Sequence, residues 1–224
     1  MIFLDFLPTF GSMPKVGPAK RFKSKSKRSV KVGQAKRNNL FNNSIMHNIL
    51  VVDNESLHTK EIGLLFPGQN VTFCQYNKIP DTKNYDLIVL SWWSHYSVMH
   101  QPSPYKKEIS LIRNSKVPIL GICLWCQLIA HAFGSTVKKM SEKLVKEIEI
   151  RNNLDAKDYK VFEAHKYAIK TLWSEIEGIS KSKYGYEIIR HKTRPLRWFQ
   201  FHPEADMEHT EWKKILKEIL DIIF

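Results

Sequence analysis

The amino-acid sequence predicts an α/β domain with a mostly parallel central sheet flanked by helices. Short apolar runs rich in β-branched residues alternate with segments whose apolar residues recur every three or four positions. The expected strands are residues 48–53, 70–76, 86–90 and 118–122, and the expected helices are residues 59–66, 105–114, 128–134 and 210–223. Strands and helices that alternate at this spacing are typical of parallel sheets, because each crossover covers a face of the sheet.

The first elements along the chain each carry a local signal. Residues 48–53 are rich in β-branched side chains and end in Asp53, as buried parallel strands often do. The helix at 59–66 is closed by a Pro-Gly pair at residues 67–68. Residues 70–76 alternate between polar and apolar side chains, and residues 86–90 have the composition of a buried strand.

The later elements lead from a strand directly into a helix. The strand at 118–122 is followed by the helix at 128–134, which ends at Gly134, a residue that favours helix C-termini. Residues 145–201 are richer in strand and turn patterns. One face of the last helix is apolar and consists of Trp212, Ile215, Leu216, Ile219, Leu220 and Ile223.

The positive charge of the chain is concentrated at its N-terminus. The 224 residues carry a formal charge of +13, and residues 1–46 hold ten of the 35 basic residues but only one of the 22 acidic residues. A block of like charge without apolar periodicity predicts a disordered extension, followed by one domain at 47–224. Residues 20–28 are also compatible with a nuclear localisation signal or with nucleic-acid contact. A further alternative is that translation starts at Met46.

Composition excludes several protein classes. Three cysteines are too few for a disulfide-stapled scaffold, and no apolar run is long enough for a membrane-spanning helix. The first residues lack the basic segment of a signal peptide. The histidines show no metal-ligand spacing and no glycine-rich phosphate loop is present, so we expect neither metal nor cofactor. These features favour an intracellular protein, cytoplasmic or nuclear.

Chemically suggestive residues follow the predicted strands. Cys123 stands where a strand meets a helix, which is the position of a nucleophile in a strand–turn–helix elbow, although a buried structural cysteine fits equally. His202 and Glu204 are two residues apart, so extended backbone would let the carboxylate orient the imidazole; a surface pair is the alternative. Residues 90–95 could supply backbone oxyanion donors or form a hydrophobic loop.

Together these segments resemble the class I, triad-type glutamine amidotransferases over residues 48–224. The family's elbow reads Gly-x-Cys-x-Gly-x-Gln, which Gly121, Cys123 and Gln127 match, and its final motif is Gln-Phe-His-Pro-Glu, found here at 200–204. The resemblance implies a flavodoxin-like domain with a small additional antiparallel sheet. It also implies hydrolysis of glutamine, or of a related γ-glutamyl compound, through a thioester that releases ammonia.

By the same resemblance, Cys123 is the nucleophile, His202 its base and Glu204 the residue that orients the base. The backbone N–H of Leu124 would contact the oxyanion. The substrate-contacting positions would be Leu124, Gln127, Trp92, Trp93 and His165. A separate synthase subunit could take up the ammonia, because the sequence shows no synthase domain.

Three tryptophans depart from the family pattern. Trp92 and Trp93 replace glycines of the oxyanion loop, and Trp125 replaces the inner glycine of the elbow. Indoles at positions where glycine allows close approach must fill the glutamine pocket or turn into the core. Three functions therefore stay open: a cysteine hydrolase, a catalytically inactive binding protein with a filled pocket, and a protein that contacts nucleic acid through its basic tail.

Overall fold

Strands and helices alternate over the first half of the domain, and strands dominate the second half. The computed structural model describes residues 45–56, 58–92, 103–123, 125–153, 155–205 and 208–223. Its strands are β1 (Asn48–Asp53), β2 (Asn70–Gln75), β3 (Leu87–Leu90), β4 (Ile119–Ile122), β5 (Thr136–Asn152), β6 (Lys157–Thr171), β7 (Ile176–Lys181), β8 (Tyr186–His191) and β9 (Leu196–Phe199). Its helices are α1 (Thr59–Leu64), α2 (Lys106–Asn114), α3 (Trp125–Phe133) and α4 (Trp212–Ile223).

Five of these strands form a parallel half-sheet. Hydrogen bonds join them in the order β2-β1-β3-β4-β9, and each neighbouring pair is parallel. All four residues of β3 and of β4 are buried, because protein covers both faces of the sheet. Alternate residues of β1 enter two separate cores: Ile49 and Val51 pack on the side of α1 and α4, and Leu50 and Val52 on the side of α2 and α3.

The other strands continue the same sheet with antiparallel pairing and close into a barrel. The order runs from β9 through β8, β6 and β5 to β7, and β7 pairs back onto β8. The expected small additional antiparallel sheet thus takes the form of a barrel that continues the parallel strands. Because β8 is hydrogen-bonded to β9 on one side and to barrel strands on the other, no break divides the two parts.

Most predicted elements lie within a few residues of the observed ones. The predicted α/β class is confirmed, Gly134 after α3 has a φ of +74°, and the predicted apolar face of α4 is buried from Trp212 to Leu220. No described helix has the length and hydropathy to cross a membrane. Residues 1–44 fall outside the described residues, so the basic extension at 1–46 stays a prediction.

Candidate active site

Cys123 occupies a tight corner between β4 and α3. The strand ends at Ile122 and the helix begins at Trp125, as expected for a strand–turn–helix elbow. The backbone of Cys123 has a φ of +51°, a left-handed conformation that costs energy for any residue with a side chain, and strain of this kind concentrates at functional sites. Its N–H donates a 2.7 Å hydrogen bond to the carbonyl of Phe199, which fixes the corner against β9.

The surroundings of Cys123 favour negative charge on its sulfur. The side chain is almost completely buried, which by itself disfavours a charged sulfur, and two features oppose that cost. Because α3 begins two residues later, the sulfur lies near the helix end that carries partial positive charge. The side-chain amide of Gln200 approaches Sγ to 3.7 Å through Nε2, a donor that can stabilise a thiolate.

His202 and Glu204 form a buried hydrogen-bonded pair. The ring Nδ1 of His202 lies 2.9 Å from Oε1 of Glu204, and both residues are at most 2 % exposed. A carboxylate can only accept, so Nδ1 carries the proton and the other ring nitrogen, Nε2, presents a lone pair. Nε2 has no hydrogen-bond partner among the described residues. An imidazole held in this tautomer is suited to take a proton from a nucleophile.

The backbone between these two residues differs from the expected extended strand. The strand β9 stops at Phe199, and the chain then turns, with the N–H of Ala205 donating to the carbonyl of His202 at 3.3 Å. The side chains of His202 and Glu204 do meet, but a turn brings them together rather than the alternation of a strand.

Two strands of the barrel hold the segment that carries His202. The N–H of His202 donates to the carbonyl of Phe162 on β6, and the N–H of Gln200 donates to the carbonyl of Glu187 on β8, both at 2.8 Å. The parallel half-sheet thus positions Cys123, and the barrel positions His202. The site lies at the carboxyl ends of β4 and β9, where ligands of parallel sheets bind.

Trp92 lies directly against this site. Its ring is edge-on to the ring of His202 with 4.5 Å between centroids, and it stacks on His58 at 6.1 Å. Trp92 is thus one of the predicted substrate contacts that the structure brings to His202. Trp93 and Leu124 lie outside the described residues. For Trp125 and Gln127 only the helical backbone of α3 is described.

A buried polar cluster anchors the start of the loop that carries Trp92. The backbone N–H of Asn54, just after β1, donates a 2.9 Å hydrogen bond to Oγ of Ser91. The side-chain amide of Asn54 donates to the Ser91 carbonyl and to Oε1 of Glu108. Burial raises the pKa of Glu108 to about 8. The carboxyl is therefore mainly protonated at neutral pH.

His165 lies in the barrel, in a setting different from the predicted substrate contact. Its Nδ1 is 2.8 Å from the carbonyl of Tyr167, and its Nε2 is 2.8 Å from Oε2 of Glu163. The side chain is only 5 % exposed and faces two buried carboxyl groups, those of Glu163 and Glu187. A direct substrate contact by His165 stays a prediction, and the observed contacts favour an internal role.

Sequence reasoning missed Gln200 as a neighbour of the sulfur and missed the buried carboxyl groups. Gln200 belongs to the matched final motif, and its place directly after a buried strand was the available signal. Glu163 and His165 are two apart on a strand, which puts them on one face. Nothing in the spacing links that pair to Glu187 or links Glu108 to Asn54.

Comparison with known proteins places this geometry in a family. The family model for class-I glutamine amidotransferases matches residues 44–222. The glutamine-hydrolysing GMP synthase subunit of Methanocaldococcus jannaschii is 33% identical over 127 residues, which are 52% of this chain and 66% of that protein. The carbamoyl phosphate synthase small chain of Campylobacter jejuni is 30% identical over 130 residues, 55% of this chain and 35% of that protein. The chain thus matches less than two thirds of the length of either relative.

A solved structure agrees with the sequence comparison. The crystal structure of a candidate GMP synthase subunit protein from Thermoplasma acidophilum superposes with a TM-score of 0.69 at 25% identity, covering 81% of this chain and 96% of that one. The family match extends over most of the chain and includes both the elbow and the His202–Glu204 segment. The chain belongs to the class I glutamine amidotransferase family.

Proposed function

We propose that the protein hydrolyses the side-chain amide of glutamine, or of a related γ-glutamyl compound, with Cys123, His202 and Glu204. The observation that carries the proposal is the buried His202–Glu204 hydrogen bond, which leaves Nε2 of His202 without a partner among the described residues. Family membership supplies the reaction class. The pairing of β4 with β9 brings the strand ends that precede Cys123 and His202 side by side, because Ile122 is in register with Phe199.

The proposed reaction begins with transfer of the Cys123 thiol proton to Nε2 of His202. The thiolate attacks the amide carbon and forms a tetrahedral oxyanion, which backbone N–H groups near residues 92–94 and 124 would stabilise. His202 then gives its proton to the departing nitrogen, which leaves as ammonia, and a thioester remains on Cys123. Water, deprotonated by His202, cleaves the thioester and releases the carboxylic acid product and the thiol.

Glu204 and Gln200 have supporting roles in this mechanism. Glu204 holds the tautomer of His202 and stabilises the imidazolium that forms when the thiol proton arrives. Gln200 donates toward the sulfur from the side and so favours the thiolate. Both are buried, so water does not compete for these hydrogen bonds.

A second proposal about partners comes from the names of the two relatives. One is described as a synthase subunit and the other as a synthase small chain. We propose that the ammonia is delivered to a separate synthase subunit that uses it as a nucleophile. Co-expression with that subunit should raise glutamine turnover, and an unchanged rate with a chain that demonstrably binds would contradict this part.

The test of the hydrolase proposal uses Cys123→Ala with Cys74→Ala as its matched control. Cys74 lies on β2, where burial, followed by the charges of Glu108 and Asp53, raises the pKa of its thiol to about 11, so it is a poor nucleophile. We expect the Cys123 variant to lose ammonia release from glutamine, by at least about 10³-fold, and the Cys74 variant to keep it. Retained turnover in the Cys123 variant would overturn the mechanism.

A binding protein with a filled glutamine pocket is the second candidate, because the ring of Trp92 packs on His202. Labelling with an electrophilic glutamine analogue, followed by mass spectrometry, separates the two candidates. Stoichiometric labelling of Cys123 in the unaltered protein supports the hydrolase. Labelling that requires Trp92→Gly supports the filled pocket.

A further inference from the structure

We propose that Glu163, His165 and Glu187 form a buried site for one divalent transition-metal ion, with Zn²⁺ as its representative. Glu163 and His165 project from one face of β6, and Glu187 projects from β8. One ligand atom from each residue lies within 4.8 Å of the others, and none of the three residues is more than 5 % exposed. One imidazole and two carboxylates are a donor set that suits such ions.

The tautomer of His165 points a lone pair at this centre. Its Nδ1 lies 2.8 Å from the carbonyl of Tyr167, which can only accept, so Nδ1 carries the proton. Nε2 then faces Oε2 of Glu163 at 2.8 Å with no proton of its own. Two acceptors at this distance repel each other unless a cation or a proton lies between them.

The carboxyl groups add further acceptors to the same centre. The carboxyl groups of Glu163 and Glu187 lie close enough to share a hydrogen bond, and no other described residue donates to either oxygen of Glu163 or to Oε2 of Glu187. Buried carboxyl oxygens and an imidazole nitrogen that converge in this way need a metal cation or a proton between them to balance them.

The contacts on the outer side of the cluster match those of metal ligands in proteins. Metal-bound histidines commonly donate their second N–H to a backbone carbonyl, as His165 does to Tyr167. Metal-bound carboxylates are commonly held by a further hydrogen bond, and Oε1 of Glu187 accepts one from the hydroxyl of Ser182. These contacts orient both groups toward the centre, independently of Cys123.

The position of the site predicts an effect on the neighbouring catalytic segment. Glu187 accepts from the N–H of Gln200 through its backbone carbonyl, and the residue before Glu163 accepts from the N–H of His202. A bound ion would therefore tie together the two strands that hold residues 200–202. We expect the ion to be structural, because its ligands are buried and face away from solvent.

Isothermal titration of the full chain with ZnCl₂ tests the site. The protein carries Cys123→Ala to remove the reactive thiol, has no histidine tag, and is first dialysed against EDTA. We expect one Zn²⁺ per chain, at least about tenfold weaker binding in Glu163→Gln and in Glu187→Gln, and unchanged binding in His131→Gln, whose side chain is exposed. Co²⁺ added in place of Zn²⁺ should give the absorption of nitrogen and oxygen ligation without a thiolate band.

The alternative occupant is a proton shared between the two carboxyl groups. It would appear as no Zn²⁺ binding at about 100 μM metal, or as binding that neither glutamate variant weakens, and either result overturns the proposal. Circular dichroism checks that each variant is folded. Because the two glutamate variants each remove a different ligand, either one can test the site if the other fails to fold. Because Cys123 is absent from the protein used, failure here leaves the hydrolase proposal unaffected.

Discussion

The parallel half of the sheet and the barrel place their polar groups differently. In the parallel half, the buried strands β3 and β4 are apolar throughout, and the hydroxyl of Ser91 and the thiol of Cys123 stand just beyond the strand ends. In the barrel, Glu163, His165 and Glu187 are buried within the strands themselves. Side chains at strand ends can contact a substrate, whereas charged side chains buried inside a barrel need neighbouring groups or ions to balance their charge. The two halves therefore differ in where their polar side chains lie.

The largest expected effect concerns Glu108, the buried carboxyl of the parallel half. Its folded-state pKa of about 8 lies above the unfolded value of 4.5. Between these two pH values the folded chain therefore binds more protons than the unfolded chain. The stabilising contribution of protonated Glu108 is complete below pH 4.5 and is lost as the pH rises through 8. The isosteric Glu108→Gln should leave stability similar in acid and raise it in mild alkali, by on the order of 4 kcal/mol relative to the unaltered protein.

Denaturant unfolding at several pH values measures this difference, and Glu149→Gln on an exposed strand position is the control. If the Glu108 and Glu149 variants respond to pH alike, the buried carboxyl does not make the proposed contribution. Such a result would also sharpen the contrast between the two halves. The free-energy cost of burying a carboxyl group would then be confined to the barrel.

The second prediction concerns the hydrogen bond between Glu204 and His202. In Glu204→Gln the side chain can donate to Nδ1 of His202, which favours the wrong tautomer, so we expect kcat to fall by about 10² to 10³-fold with little change in KM. Steady-state ammonia release measures the effect, and the exposed Glu208→Gln should behave as the unaltered protein. Equal rates in the two variants would show that Glu204 does not orient the base.

The smallest expected effect compares packing in the two halves. Ile119→Val on the fully buried β4 removes one methylene from the core and should cost about 1 kcal/mol of unfolding free energy. Val145→Ala on β5, where the side chain is 56% exposed, should cost less than about 0.5 kcal/mol. Thermal unfolding of both variants checks the ranking, and a reversed order would place the main core in the barrel.

The parallel half could be predicted from the sequence more completely than the barrel. Buried strands such as β3 and β4 are recognisable as apolar runs between turns, and a strand that leads into a helix located Cys123. The motif at 200–204 identified His202 and Glu204, although the turn that joins them depends on bonds to β6 and β8. The local sequence does not indicate which distant backbone groups will form these hydrogen bonds.

The barrel was less predictable because its long strands carry many charged residues. The strand β5 has only a few buried positions, so its outward face has the composition of solvated chain rather than of a strand of 17 residues. Glutamate is rarely fully buried, and the composition around Glu163 and Glu187 gives no sign that both are. Such burial becomes visible only when two distant strands are seen together.

The hydrogen bond from Cys123 to Phe199 has a consequence for the order of assembly during synthesis. The elbow is strained, and the strand that secures it is the last one of the sheet along the chain. A growing polypeptide therefore cannot secure this corner with that hydrogen bond until β9, the last strand, has left the ribosome. Under the proposed function, the corner that holds the nucleophile is therefore completed only when nearly the whole fold has formed.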